Sequence, residues 1–279
     1  MHSSINKNAA TTREAALSAP RRHVRLFRQF DHWVNRMFRT AYALHEGFWL
    51  GCLTSEDLNH VTAAFYENSQ WYQSDEHNRS GLFDWESAAI KQYFRPGSRI
   101  LVAAAGAGRE MLALHREGFQ VEGFECNPNL LQISRSVLTQ NGAPDSVTLC
   151  AANEVPTGPR DFDALIVGWG AYSHIAARRH RIRFLDSLRQ LGTMNAPLLL
   201  SFLLHQPSNY DVLTRHVARL SRALSLTQKD EIEIGDHLSR DGFRHLFVRS
   251  EVESELKAAG FEVVLFSEES YGHAVGIPV

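Results

Sequence analysis

Ile100-Leu-Val-Ala-Ala-Ala-Gly106-Ala-Gly108, with Glu125 closing Gln120-Val-Glu-Gly-Phe-Glu a little further on, decides how this chain is read. An apolar run that ends in Gly-x-Gly and is followed by Arg-Glu-Met-Leu-Ala-Leu-His-Arg-Glu-Gly118 is a buried strand turning sharply into an amphipathic helix, which Gly118 stops. Such a turn presents bare backbone N–H groups to a ligand. The second strand ends in a carboxylate placed to accept hydrogen bonds from a ribose diol. Together these features describe a nucleoside pocket.

Missing residues narrow the ligand. A dinucleotide fingerprint needs a third glycine three residues after the second, and that position is Met111. A triphosphate-cradling loop needs Gly-Lys-Ser/Thr, and the helix opens instead on Gly108-Arg109-Glu110. An acid in that first turn opposes a polyphosphate but suits the ammonium of an amino-acid tail, whose single carboxylate needs only one or two N–H donors. The ligand implied is S-adenosylmethionine.

The order of strand, Gly-x-Gly turn, helix and acid-ended strand continues into Asn127-Pro128-Asn-Leu-Leu, Phe162-Asp163-Ala-Leu-Ile-Val and Ala258-Ala-Gly-Phe-Glu-Val-Val. It resembles the class I S-adenosylmethionine-dependent methyltransferases from Pro96 onward. The resemblance implies an α/β fold, with a seven-stranded, mostly parallel Rossmann-like sheet behind an N-terminal helical cap. It implies cofactor contacts at Ala104, Gly106, Gly108, Glu125, Cys126, Asn127, Asn153 (reading the adenine amine), Gly168 and Trp169. This chain departs from the family's Asp-x-Gly-x-Gly-x-Gly by carrying Val102 and Ala104 in place of the acid and the first glycine.

Methyl transfer from a sulfonium depends mainly on alignment, and an alcohol, phenol or protonated amine also needs a base. His174, in Gly168-Trp-Gly-Ala-Tyr172-Ser-His174, is the first candidate, with Tyr172 orienting the substrate. A helix-start histidine bonded to the backbone is an equal reading of the same residue. His245, Tyr271 and His273 fall where the resemblance places substrate groups; Tyr72 is a further candidate for substrate binding, and Tyr66 and Tyr72 in the cap are candidates to close over the cofactor, with helix packing the alternative reading of both. Two alternatives stay open: a non-catalytic subunit whose worn glycine motif is marked by Val102 and Ala104, and a nicotinamide-dependent oxidoreductase, which Met111 disfavours.

Along the chain, residues 1–19 read as a disordered tail, residues 20–95 as the helical cap and residues 96–279 as the nucleoside domain, with an insertion at about 205–247. Expected strands are 99–105, 120–125, 146–150, 162–168, 197–204, 262–267 and 271–277. Expected helices are 109–117, 128–140 behind an Asn127 cap, 175–190, and 251–259 behind a Ser250/Glu253 capping box. In the cap, a stripe from Val24 to Ala41 and a Thr54-capped segment are helical, residues 70–80 form a loop, and a third helix follows to Phe94. The insertion is expected to hold one helix and an irregular flap.

At 279 residues and 44% apolar composition the chain buries a full core. Its net charge of −2 offers no broad cationic field for nucleic acid or lipid, which points to a small-molecule acceptor. The basic run Arg178-Arg-His-Arg181-Ile-Arg183 spreads around more than one helical face and reads as solvated surface. Three dispersed cysteines and the lack of a signal core point to a reducing, cytoplasmic setting. Fourteen histidines without a four-residue pair give no expectation of a metal. Apolar stretches are too short to span a bilayer.

Overall fold

The computed structural model describes residues 21–159, 161–225 and 230–279, so the expected tail at 1–19 lies outside the described residues. The chain opens with α1 (Arg22–Cys52), α2 (Ser55–Asn68), the single turns α3 (Gln70–Gln73) and α4 (Asp75–Asn78), and α5 (Asp84–Tyr93). It then alternates through β1 (Arg99–Ala103), α6 (Arg109–Arg116), β2 (Gln120–Glu125), α7 (Pro128–Gln140), β3 (Val147–Leu149) and β4 (Ala164–Val167). A 3-10 turn at Ala171–His174 leads to α8 (Arg178–Leu191), β5 (Leu198–Phe202) and α9 (Asn209–Leu224). The hairpin β6 (Asp236–Ser239) and β7 (Gly242–His245) precedes α10 (Arg249–Ala258), β8 (Phe261–Ser267) and β9 (Gly272–Pro278).

The main sheet has the order β3-β2-β1-β4-β5-β9-β8. Strands β1 to β5 pair in parallel, as right-handed crossovers through helices require, and β9 runs antiparallel to both β5 and β8. The apolar runs read from the sequence are buried on both faces. Leu101, Leu165, Leu198 and Leu200 point into one layer with α8 and α10, and Ile100, Val102, Ile166 and Leu199 point into the other with α5, α6 and α7. The order reverses between β1 and β4, which opens a crevice at the C-terminal ends of these strands.

Local signals explain most boundaries. Asn127 caps α7 as expected, its Oδ1 accepting from Asn129 N at 2.9 Å and Leu130 N at 3.2 Å. Thr54 and Asp57 close a reciprocal capping box at the start of α2. The expected Ser250/Glu253 cap is not formed. Phe247 pairs with Leu204 and donates to Leu203 O at 2.8 Å, so Val248 leaves the bridge extended and α10 starts there, with Glu251 accepting from Val248 N at 3.0 Å. Residues 70–80 contain the turns α3 and α4 rather than an open loop, because Ser74 caps the second of them through His77 N.

The insertion also differs from expectation: its flap is an ordered hairpin. Gly242, at φ 99°, lies where a Cβ would come within 2.9 Å of Thr62 Cα, so β7 packs directly on α2. The chain divides into one unit ending at Tyr42 and a second at Ala43–Val279. Helices α2 to α5 therefore belong to the same unit as the sheet. Among the described residues no helix is long and apolar enough to cross a membrane.

Candidate active site

Glu125 locks the glycine turn. Its Oε2 accepts from Gly106 N at 2.8 Å, and its Oε1 from Cys126 N at 2.9 Å and Asn127 N at 2.8 Å. Burial raises the carboxyl above its usual range, and these backbone donors pull it back. Oε2 keeps a lone pair for a further donor. Ala104 sits at φ 53° and Gly106 at φ 56°, so the left-handed turn survives even where an alanine must adopt it. A Cβ on Gly106 would meet nothing within 4 Å, leaving that side of the turn open. On Gly108 it would come within 2.7 Å of Ser134 Oγ, so the second glycine lets α7 approach.

Met111, at the place of a dinucleotide glycine, is fully buried, and its sulfur would lie 2.7 Å from a Cβ on Gly123. Its side chain occupies the helix–strand contact.

The first turn of α6 carries a buried ion triad whose separate members the sequence displayed but whose association it did not. Arg109 forks onto Glu86 at 2.8 and 2.7 Å, reaches Glu110 at 2.8 Å and donates to Gly81 O at 2.7 Å. Its guanidinium stacks 4.0 Å above Phe83. Glu86 also accepts from Phe83 N at 2.7 Å, which opens α5. Glu110 in turn accepts from Trp169 N at 3.1 Å, joining the helix start to the segment after β4.

That segment is built for close approach. A Cβ on Gly168 would lie 2.4 Å from Ala104 O, and one on Gly170 2.8 Å from the Tyr271 hydroxyl. Gly170 N donates to buried Ser201 Oγ at 2.9 Å. Trp169 is thereby held at the centre of an aromatic wall. Its ring lies 5.6 Å from Trp71, 6.3 Å from Tyr72, 5.0 Å from Phe83 and 5.6 Å from Tyr271. Trp85 extends the wall, 6.0 Å from Tyr271 and 4.8 Å from His273. His273 is nearly buried, with its Nδ1 2.7 Å from Tyr271 O.

His174 ends the 3-10 turn. Its Nδ1 lies 2.7 Å from Phe243 O, an acceptor only, so this nitrogen donates and Nε2 is left to accept from the Tyr66 hydroxyl at 2.9 Å. Burial holds the imidazole below its ordinary value, and Arg244 adds to that. Burial, reinforced by Tyr72 and Glu125, holds the Tyr66 phenol well above its ordinary value. The pair is a neutral acceptor and a neutral donor. Of the two sequence readings of His174, the structure shows the backbone hydrogen bond, on Nδ1, and adds a side-chain partner on Nε2.

Several expected residues sit elsewhere. Tyr172 is fully buried, donates to Glu255 Oε2 at 2.5 Å and stacks on Phe247, because the 3-10 turn aims it under the sheet. The role of orienting a substrate does not fit that position. His245 is fully buried, bonded to Asp236 at 2.7 Å with Glu251 at 3.9 Å, and links the hairpin to α10 rather than facing the aromatic wall. Asn153, at φ 64°, points its Nδ2 at Asn59 Oδ1, 3.4 Å away. Asn127 spends its side-chain oxygen on the cap of α7, and Cys126 is exposed.

In the basic run on α8, Arg181 is buried between Glu233 and Glu255, so the run is not a continuous cationic face. Two histidine–carboxylate groups, His205/Asp211/His237 and Glu233/Asp236/His245, bring ligand-type atoms within 4.8 Å of one another, an assembly that helical spacing could not reveal. They belong to the insertion, and hydrogen bonds already join His205 to Asp211, His237 to Glu46 and His245 to Asp236.

No protein-family model and no curated protein matches this sequence. Solved structures do. The 1,6-didemethyltoxoflavin-N1-methyltransferase of Burkholderia thailandensis, determined with its substrate and S-adenosylhomocysteine, superposes with a TM-score of 0.57 at 14% identity, over 81% of this chain and 91% of that one. A SAM-dependent methyltransferase from Methanosarcina mazei superposes at 0.55 and 16% identity, over 71% of this chain and 99% of that one. The CcbJ methyltransferase of Streptomyces caelestis does so at 0.52 and 14% identity, over 78% and 96%. The fold is that of the class I S-adenosylmethionine-dependent methyltransferases.

Proposed function

We propose that this chain transfers a methyl group from S-adenosylmethionine to oxygen or nitrogen of a small-molecule acceptor. The observation that carries the reading is the Glu125–Gly106 lock: an acid at the end of β2 bonded to an open left-handed turn at the end of β1, at the sheet's switch point. The residues suit the group. Glu125 Oε2 has a lone pair left for a ribose hydroxyl, the open side of Gly106 admits the adenosyl moiety, and Glu110 offers a carboxylate to the methionine ammonium where Val102 cannot. When bound, S-adenosylmethionine supplies a methyl group on a sulfonium.

Trp169, Tyr72 and Tyr271 form an apolar wall that holds a small acceptor and excludes water. Tyr66 takes the acceptor's proton as it passes its own to His174 Nε2, so that the pair serves as one base. The similar enzyme named for N1-methylation of 1,6-didemethyltoxoflavin is in keeping with a small acceptor. The survival of the turn at Ala104 favours a working cofactor site over a non-catalytic subunit, and the buried Met111 disfavours a dinucleotide.

The test is to incubate the protein with methyl-labelled S-adenosylmethionine and a small-molecule cell extract, and to follow label by mass spectrometry. A compound that gains the labelled methyl only with active protein supports the reading. If no compound gains label and calorimetry shows no heat with S-adenosylhomocysteine, the proposal is rejected.

A further inference from the structure

Helix α1 carries an aromatic stripe that its own residues leave in solvent. Phe27 is 67% exposed, Phe30 66%, Trp33 57% and Phe38 65%, and Leu26 and Met37 are exposed beside them. At about 100° per residue, Leu26, Phe30, Trp33 and Met37 form one line, and Phe27, Val34, Phe38 and Ala41 the line beside it. The opposite face is cationic: Arg25, Arg28, Arg36 and Arg39 project there, with Arg22 at the border, and all are exposed. Asp31 is the one acid in residues 21–42, and it accepts from Asn35 Nδ2 at 3.0 Å.

We propose that residues 22–42 form an interfacial helix that seats this protein on the anionic surface of a lipid bilayer. Three features select that occupant. The apolar face is about half the helix circumference wide and built of Phe, Trp, Leu and Met, the side chains that enter the boundary between headgroups and acyl chains. A coiled-coil partner would instead ask for a narrow seam with charges on both flanks, and here one flank holds Phe27, Val34 and Ala41. The charge is complementary: a cluster of arginines with a single acid attracts anionic headgroups, although the chain as a whole carries a net charge of −2. The sequence-level expectation of no lipid attraction rested on that whole-chain average, which hides a local dipolar arrangement. The helix cannot span, because Arg22, Arg25, Arg28, Arg36 and Arg39 leave no apolar run long enough; it lies in the plane of the surface.

The inference is independent of the methyltransferase reading, and its test uses no cofactor. The full chain is sedimented with vesicles of phosphatidylcholine alone and of phosphatidylcholine mixed with phosphatidylglycerol, at low and at molar salt. Binding to the mixed vesicles alone, lost in high salt, is expected. Replacing both Phe30→Glu and Trp33→Glu, or Arg25→Gln together with Arg36→Gln, should each weaken partitioning about tenfold or more. Far-UV circular dichroism and the unfolding midpoint check that the variants fold, and if a glutamate variant does not, the arginine pair alone carries the test.

Protein that stays in the supernatant with both vesicle types overturns the proposal. So does equal binding to neutral and anionic vesicles. A lipid-independent dimer in analytical ultracentrifugation that Phe30→Glu and Trp33→Glu dissociate, with no vesicle binding by the parent chain, assigns the stripe to a second copy instead.

Discussion

Tyr66 on α2 and His174 at the end of the 3-10 turn share a hydrogen bond of 2.9 Å across 108 residues of sequence. In the proposed reaction the contact serves as a neutral base of two groups, because His174 Nδ1 is committed to Phe243 O and only Nε2 faces the phenol. With the acceptor found by the labelling screen, His174→Gln is expected to lower kcat about 100-fold, and Tyr66→Phe by less, since a water can bridge the gap. The base works when neutral, and burial holds His174 below the ordinary value of about 6.5, so turnover should be flat at neutral pH and fall on acidification below that value. The acidic limb should vanish in His174→Gln. A variant that lowers the plateau but keeps the limb would show that His174 only shapes the site.

The proposed function places Glu125 and Glu110 at opposite ends of the donor, and a truncated ligand separates them. Glu125→Ala leaves the N–H groups of Gly106, Cys126 and Asn127 without their acceptor, which should destabilise the fold by about 1–3 kcal/mol and weaken S-adenosylhomocysteine and methylthioadenosine alike. Glu110→Gln should weaken S-adenosylhomocysteine about tenfold and leave methylthioadenosine, which lacks the amino-acid tail, unchanged. Titration calorimetry with both ligands reads the difference. Equal losses for Glu110→Gln would place that carboxylate in fold support alone.

The parts of this site that were legible in the sequence are those made by neighbours along the chain. Gly106, Gly108 and Gly118 punctuate a strand and a helix by their own backbone freedom, and Asn127 caps α7 two residues after Glu125. Tyr66 with His174, and Glu110 with Trp169, are contacts between distant segments for which no spacing rule exists. Tyr172 was misplaced for a related reason: the segment after β4 winds into a 3-10 turn, and a one-residue change of direction there sends its ring under the sheet instead of toward Trp169. The β6–β7 hairpin had a local signal in Asp241-Gly242, but polar residues on both strands hid the alternation.

Ala104 offers a test of the worn motif. An alanine at φ 53° stores about 1 kcal/mol of backbone strain that glycine would release. Ala104→Gly should therefore raise the unfolding midpoint by about 2 °C, because the gain at the turn exceeds the extra freedom glycine gives the unfolded chain. It should leave S-adenosylhomocysteine affinity unchanged or improved, since the turn already has the required shape. A lowered midpoint would mean that the Ala104 methyl group packs usefully.

His245 should make stability depend on alkaline pH. Burial opposes its charge, yet the hydrogen bond to Asp236 and the nearby Glu251 carboxylate outweigh that and raise it to about 9. A folded-state value above the unfolded one, near 6.5, means that the native chain holds a proton the unfolded chain has released. The contribution is fully present below about pH 6.5 and is lost as pH rises through the folded value, up to about 3 kcal/mol in all. Urea unfolding followed across that window should show the midpoint falling as pH rises. In His245→Gln, which keeps a donor for Asp236 but cannot take the charge, the curve should be lower at acidic pH and flat across the same window. A parent chain whose stability does not change there would mean that His245 is neutral between its two carboxylates, and that Asp236 and Glu251 are held by other partners.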